Sequence, residues 1–154
     1  MVKILFICHG NICRSPMAEF VFKNIVEKER ISDKFYVASA ATSYEEIGNL
    51  VHHGTAKILD GLGISYSGKR AVHLEKSDYT KYDYLVCMDS ANVRNTLRIV
   101  GDDVEKKIHK LLKFVDSDED VADPWYTGDF ERTYKDVLAG CKGLLEYIEK
   151  DKNN

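Results

Sequence analysis

Proline is scarce in this chain of 154 residues. There are two, Pro16 and Pro124, and no proline-, glycine- or serine-rich stretch that would serve as a linker or low-complexity tail. No apolar run approaches the ~20 residues of a membrane span. The N-terminus has one lysine and a short apolar run ending in a polar loop, which reads as a strand and excludes a secretory leader. The four cysteines form no C-x2-C pair, and there is no H-E-x-x-H. The histidines (His9, His52, His53, His73, His109) are scattered, so no metal site is expected. His52 and His53 would point about 100° apart on a helix, which predicts two surface side chains. With few cysteines and no leader, reduced thiols in the cytoplasm are expected. A net charge of −3 lacks the basic excess that nucleic acid or an anionic membrane surface would require. No internal repeat is visible.

What remains is an ordinary globular composition, 44% hydrophobic and 31% charged. The length predicts one domain, residues 1–154, that buries roughly two-thirds of its unfolded surface.

The stretch that organises the rest is K-I-L-F-I-C-H-G-N-I-C-R-S-P, Lys3 to Pro16. Ile4-Leu5-Phe6-Ile7 is short enough for a buried strand. Gly10-Asn11 then breaks it with the two residue types most tolerant of positive φ. Ser15-Pro16 restarts the chain as a helix, with Met17, Phe20, Val21 and Ile25 at helical spacing and Pro16 suited to the first helical position. Strand, tight loop and helix N-terminus together aim successive backbone N–H groups and a positive dipole end at one point, a ready anion site. Cys8 lies at the floor of that cradle, where N–H dipoles and a nearby permanent cation suit a thiolate. Arg14 offers a planar fork matching two oxygens of a phosphate. A lone C-x5-R pair is weak, since most buried cysteines are inert. Its setting makes it specific. The Gly-Lys-Ser/Thr ending of a nucleotide-binding loop is absent.

Further along, Phe35–Ser39 reads as a second strand completing a right-handed β-α-β unit. Residues 40–54 read as a loop, of which Thr42–Glu46 can wall the cleft. His53–Leu62 is expected to be a short helix with Ala56, Leu59 and Leu62 on one face, and Leu74–Tyr82 another. Tyr84–Met88 reads as a central parallel strand, apolar on both faces. Asp89 caps a helix through Val93, Leu97 and Val100 that stops at Gly101. Ile108–Val115 reads as a fourth strand, although its Leu111-Leu112 pair suits a helix too. Phe130, Tyr134, Val137, Leu138, Cys141, Leu144, Leu145 and Ile148 form one stripe of a long last helix. The alternation predicts a doubly wound α/β fold: about four parallel strands, helices on both faces, and the phosphate-binding loop after the first strand. Cys87 and Cys141 fall on apolar faces and read as core.

A thiolate attacking a phosphate ester needs an acid to protonate the departing oxygen. The loop Ser117–Asp129 carries several carboxylates, and composition does not choose among them. D-P in an acidic loop is usually a turn. Asp123 is singled out by stiff Pro124 and by Trp125-Tyr126, two aromatics that no helical stripe buries and that suit the wall of a site for a flat ring.

C-H-G-N-I-C-R-S-P resembles the signature of the low-molecular-weight protein tyrosine phosphatases, and the likeness extends along nearly the whole chain. D-P-W-Y is similar to the loop whose aspartate is that family's general acid. The resemblance implies Cys8 as nucleophile, Arg14 as transition-state clamp and Asp123 as acid and base. It implies that His9, Gly10, Asn11, Ile12 and Cys13 frame the phosphate, that Ser15 donates to the thiolate, and that Asn11 holds the loop's shape through Ser39. Tyr44, Trp125 and Tyr126 would line the substrate. Cys13 is either a small buried thiol or a partner that bridges Cys8 on oxidation. The implied activity is hydrolysis of phosphotyrosine and small aryl phosphates through a cysteinyl-phosphate, with no metal or cofactor and with phosphate and similar oxyanions as inhibitors. The implied partners are phosphotyrosine proteins or peptides, acted on by a monomer. A deep-set Cys8 favours phosphotyrosine over the shorter phosphoserine.

Departures from the vertebrate pattern concern an aromatic near Glu45, a histidine near Gly68 and an arginine near Val72. Two other readings stay open. One is a related branch: the arginine phosphatases, which have threonine where this loop has Ile12, and the arsenate reductases, whose relay cysteines look absent. The other is a silent phosphate binder, which would be expected to have lost Cys8 or Asp123.

Overall fold

The computed structural model describes residues 1–152. In chain order it contains β1 (Val2–Cys8), α1 (Arg14–Lys28), β2 (Phe35–Ala41), α2 (His53–Gly61), α3 (Asp78–Lys81), β3 (Tyr84–Cys87), α4 (Ser90–Val100), β4 (Ile108–Lys110), α5 (Pro124–Thr127) and α6 (Phe130–Lys152). The four strands are all parallel, in the order β2-β1-β3-β4. Ile4 pairs with Val37 on one side and with Tyr84 on the other. The winding direction therefore reverses between β1 and β3, and their carboxyl ends splay into a crevice.

Successive residues of β1 point to opposite faces. Ile4, Phe6 and Cys8 join the larger core beneath α1 and α6, while Leu5 and Ile7 join Tyr79, Val100 and Leu85 on the face covered by α3 and α4. Helices thus cover both faces, as the apolar runs predict. On the larger side Phe6, Phe22 and Phe35 form a chain of tilted rings with centroids 6.0 and 5.4 Å apart. Both ends of α4 follow expectation: Asp89 and Asn92 form a reciprocal capping box at its start, and Gly101 takes φ 91° after its last turn.

Four local expectations are corrected. The first helix begins at Arg14, so Pro16 is its third residue; a proline there still removes only an N–H with no intrahelical acceptor. The expected strand Ile108–Val115 stops at Lys110 and curls into a 3₁₀ turn, Leu111–Val115. That turn seats Leu111 and Leu112 in the core under α6. A Cβ on Gly140 would overlap Leu111, and one on Gly143 would meet the Phe114 carbonyl at 2.6 Å, so two glycines let the helix close over the turn. The expected helix Leu74–Tyr82 shrinks to Asp78–Lys81. Residues 72–74 instead extend the sheet edge, with Ala41 N–H donating to Val72 O at 2.7 Å and Leu74 N–H to Ala41 O at 2.8 Å. Finally, His52 and His53 do not splay. His52 caps α2 by accepting from Gly54 N–H, its ring stacks on His53 at 4.2 Å and on Phe130 at 5.2 Å, and it is half-buried. On α2 itself Thr55 and Leu59 are the buried positions, while Leu62 lies exposed just past its end.

Candidate active site

The loop from Cys8 to Arg14 closes around one sulfur. Cys8 Sγ stands 2.9 Å from Ser15 Oγ, and the backbone N–H groups of Asn11 and Ser15 point at it from 3.3 and 3.4 Å. The turn depends on Asn11, which takes φ 58° and is fully buried. Its amide donates to Ser15 Oγ (2.8 Å) and Ser39 Oγ (2.9 Å), and its carbonyl oxygen accepts from Val72 N–H (3.1 Å). A left-handed backbone is unfavourable for a residue with a Cβ, and these three bonds offset it. The N–H groups of Gly10, Ile12 and Cys13 donate to no other group among the described residues. Such unpartnered donors at a helix start form an anion cradle.

Arg14 is the first residue of α1 and is buried. Its Nη1 donates to Asp89 Oδ2 at 2.8 Å and to Val121 O at 3.1 Å, and its Nη2 reaches Asp123 Oδ2 at a longer 3.4 Å. Burial alone would lower the guanidinium's pKa, but Cys8, Asp123 and Asp89 outweigh it and hold the cation firmly charged. Of its five donors, those of Nε and the remaining Nη2 hydrogen are left for an oxyanion. Behind the loop a buried carboxylate, Glu19, accepts from Ser39 Oγ and Lys23 Nζ, each at 2.6 Å. Lys69 stands 3.7 Å from Glu19 and donates to Ser39 O at 3.0 Å.

These groups open into a cleft of about 380 Å³ at the carboxyl ends of β1 and β3. Cys8, His9, Gly10, Ile12, Cys13 and Arg14 form its floor, and Asp123, Trp125 and Tyr126 one wall. Asp123 caps α5 through Oδ1, which accepts from Trp125 N–H at 3.1 Å, leaving Oδ2 turned toward Arg14. Trp125 and Tyr126 are 63% and 85% exposed, so both aromatics stand free at the mouth. His52 meets Trp125 edge-on at 6.1 Å.

Tyr44 is placed differently from the expectation. It lies flat on His73 with ring centroids 3.8 Å apart, and the residues of its loop that line the cleft are Glu45 and Glu46. The Glu45 carboxylate pairs with His9 Nε2 at 3.0 Å. Glu45 and Glu46 belong to the segment Thr42–Glu46 that the sequence places at the cleft wall, whereas Asp89 is expected only as a cap and nothing in the sequence points to Glu19 or Lys69. All four cysteines are free thiols. Burial, with Cys8 and Asp123 adding to it, pushes the Cys13 thiol up to about 12, and burial does the same to Cys87. Among the described residues no three His, Cys, Asp or Glu side chains are grouped to hold a metal ion, and no helix is long and apolar enough to cross a membrane.

A sulfur beneath N–H donors, a fixed guanidinium and a carboxylate on the facing wall are together equipped to hold a tetrahedral oxyanion and exchange a proton with its ester oxygen. The chain is 38% identical over 154 residues to the low molecular weight protein-tyrosine-phosphatase YfkJ of Bacillus subtilis, with 99% of each covered. It is 40% identical to the low molecular weight protein-tyrosine-phosphatase PtpA of Staphylococcus aureus, covering 99% of this chain and 97% of that one. The crystal structure of YfkJ superposes with a TM-score of 0.95, covering 99% of this chain and 97% of that one at 40% identity. A Drosophila arginine phosphatase shares the fold at a TM-score of 0.86 and 26% identity, with 96% and 98% covered. The family model described as low molecular weight phosphotyrosine protein phosphatase matches residues 3–154, and the chain belongs to that family.

Proposed function

We propose that this protein hydrolyses phosphotyrosine, in proteins or peptides, and small aryl phosphates through a cysteinyl-phosphate. The observation that carries the reading is Cys8 Sγ under three donors, facing an Arg14 held between Asp89 and Asp123. The bound phosphate takes the free N–H groups of the loop and the remaining donors of Arg14. Cys8 Sγ attacks phosphorus opposite the ester oxygen, and Asp123 gives that oxygen its proton as the P–O bond breaks. The resulting Asp123 carboxylate then takes a proton from water as water attacks phosphorus and the S–P bond breaks, returning the thiolate and inorganic phosphate. Arg14 and the N–H groups are donors aimed where charge builds on the equatorial oxygens, which is the larger electrostatic contribution. Ser15 Oγ supports the sulfur when it leaves.

Two features favour an aromatic ester. Cys8 lies at the buried floor, and the exposed aromatics Trp125 and Tyr126 stand at the mouth of the same cleft. His9, Gly10, Ile12 and Cys13 line the phosphate, and Asn11 and Ser39 support the loop from behind. We read the chain as one domain, residues 1–154, working as a monomer in the reducing cytoplasm.

The test is hydrolysis of p-nitrophenyl phosphate and a phosphotyrosine peptide at mildly acidic pH with a chelator present, wild type beside Cys8→Ser. Turnover that persists in chelator and vanishes in Cys8→Ser is expected. A Cys8→Ser enzyme as fast as wild type would sink the mechanism.

A further inference from the structure

One cation reaches the acid-bearing loop from the sheet itself. Lys110 is the last residue of β4, on the same carboxyl edge as Cys8 and Cys87. Its Nζ donates to the Asp118 carbonyl at 2.7 Å and to Ser90 Oγ at 3.1 Å, and stands 2.7 Å from Asp120 Oδ1. Three partners match the three donors of an ammonium. Asp120 Oδ1 also accepts from Ser90 N–H at 3.1 Å, so carboxylate, lysine and helix start form one closed knot.

The neighbours of that knot give it a role. Ser90 follows Asp89, and Asp120 precedes Val121, and these two neighbours are the partners of Arg14 Nη1. Val121 is buried and its N–H donates to Met88 O at 2.8 Å. Asp123 lies three residues past Asp120 on the same short strap. One lysine therefore fastens together the two segments that grip the arginine, one of which also carries the acid. Five carboxylates (Asp116, Asp118, Glu119, Asp120, Asp123) crowd residues 116–123 next to Asp89. Arg14 offsets Asp89 and Asp123, and Lys113 pairs with Asp118, which leaves Lys110 to offset Asp120 where the strap meets the start of α4. Burial pushes the Asp120 carboxyl up, but Lys110 and Ser90 outweigh it and hold it below the usual carboxylate range.

We propose that Lys110 is a positioning residue for proton transfer by Asp123: its three contacts lock the strap of residues 118–123 to the start of α4, so that the carboxyl and the Arg14 clamp keep one relative geometry. This rests on the phosphatase reading above. Lys110 touches neither substrate nor sulfur, and Arg14 keeps its own bonds to Asp89 and Val121 O, so the larger effect falls on the step that needs the acid. A displacement of about 1 Å in such a group is enough to slow a reaction substantially.

The experiment measures kcat/KM on two aryl phosphates, phenyl phosphate with a poor leaving group and 2,4-dinitrophenyl phosphate with a good one. Lys110→Met is expected to lose roughly tenfold on phenyl phosphate and less than about twofold on the dinitrophenyl ester. Lys110→Arg, which keeps the charge and can restore two of the three contacts, should recover most of the loss. In an Asp123→Ala background, Lys110→Met should bring no further loss on phenyl phosphate. Should Lys110→Met not fold, Asp120→Asn opens the same knot and is read the same way. Equal losses on the two esters, or a full additional loss on top of Asp123→Ala, would overturn the proposal. A wild-type enzyme inert on both esters would overturn the phosphatase reading itself, a result distinct from either of those.

Discussion

From Cys8 to Ser15 every residue except His9 and Gly10 is buried, whereas from Asp116 to Asp129 the chain touches the interior only at Val121 and Pro124. The first segment is held by groups from three other parts of the protein, the Ser39 and Asp89 side chains and the Val72 backbone N–H. The second is a strap pegged at two points and tied by Lys110, with a four-residue helix presenting two aromatics to solvent. The sulfur and the anion cradle need fixed distances, and burial supplies them. The acid must meet leaving groups of different shape and then water, and a strap fixed at its stem by Lys110 with an exposed aromatic end can do both.

Three measurements can break or sharpen that contrast. The largest effect is expected for Asp123→Ala, a loss of roughly 10²–10⁴ in kcat/KM on phenyl phosphate and far less on 2,4-dinitrophenyl phosphate. Equal losses would show that Asp123 supports the fold of the strap and donates no proton. Next comes Asn11→Ala, which removes three buried hydrogen bonds and places alanine at φ 58°. About a tenfold loss is expected on both esters alike, because cradle and sulfur are disturbed before any leaving group matters, with stability falling by about 2 kcal/mol in urea unfolding. A loss that depended on the leaving group would blur the division between the two segments.

The smallest effect is an order of labelling within the rigid segment. With its thiol pushed up to about 12, Cys13 is thiolate in only about one molecule in 10⁴ at pH 8. Because its acid dissociation is suppressed, its reactivity rises only as pH climbs toward 12. Iodoacetamide at pH 8, followed by mass spectrometry of the peptides, should mark Cys8 well before Cys13. Labelling of both in step would mean that the two thiols share one environment.

Much of this was legible in the sequence, and what escaped it has a common cause. The strand, the turn and the helix start after Cys8 depend on neighbours in the chain, so local chemistry predicts them; of the pair Gly10-Asn11, it is Asn11 that takes the positive φ. The alternating burial of β1 and the stripe of α6 are likewise local patterns. Asp89 was visible as a cap through Oδ1, but its Oδ2 bond to Arg14 joins residues 75 apart and leaves no local trace. Lys110 looked like the middle of a strand. The strand ended early because Leu111 is drawn beneath α6, a tertiary pull that an apolar pair cannot advertise. Tyr44 is expected at the cleft wall only from the family resemblance, yet a parallel ring on His73 holds it to the side.

α6, the last helix of the fold, lies against α1, and its Val137, Cys141 and Leu144 belong to the same buried cluster as β1 and Met17. During vectorial synthesis the cradle around Cys8 therefore lacks its underlying core until α6 has left the ribosome. By then the acid strap, which precedes α6, is already out. A cradle finished without its acid would capture phosphoproteins and release them slowly, acting as a trap. With the supporting helix placed after the acid in the chain, the order of synthesis works against such a stage.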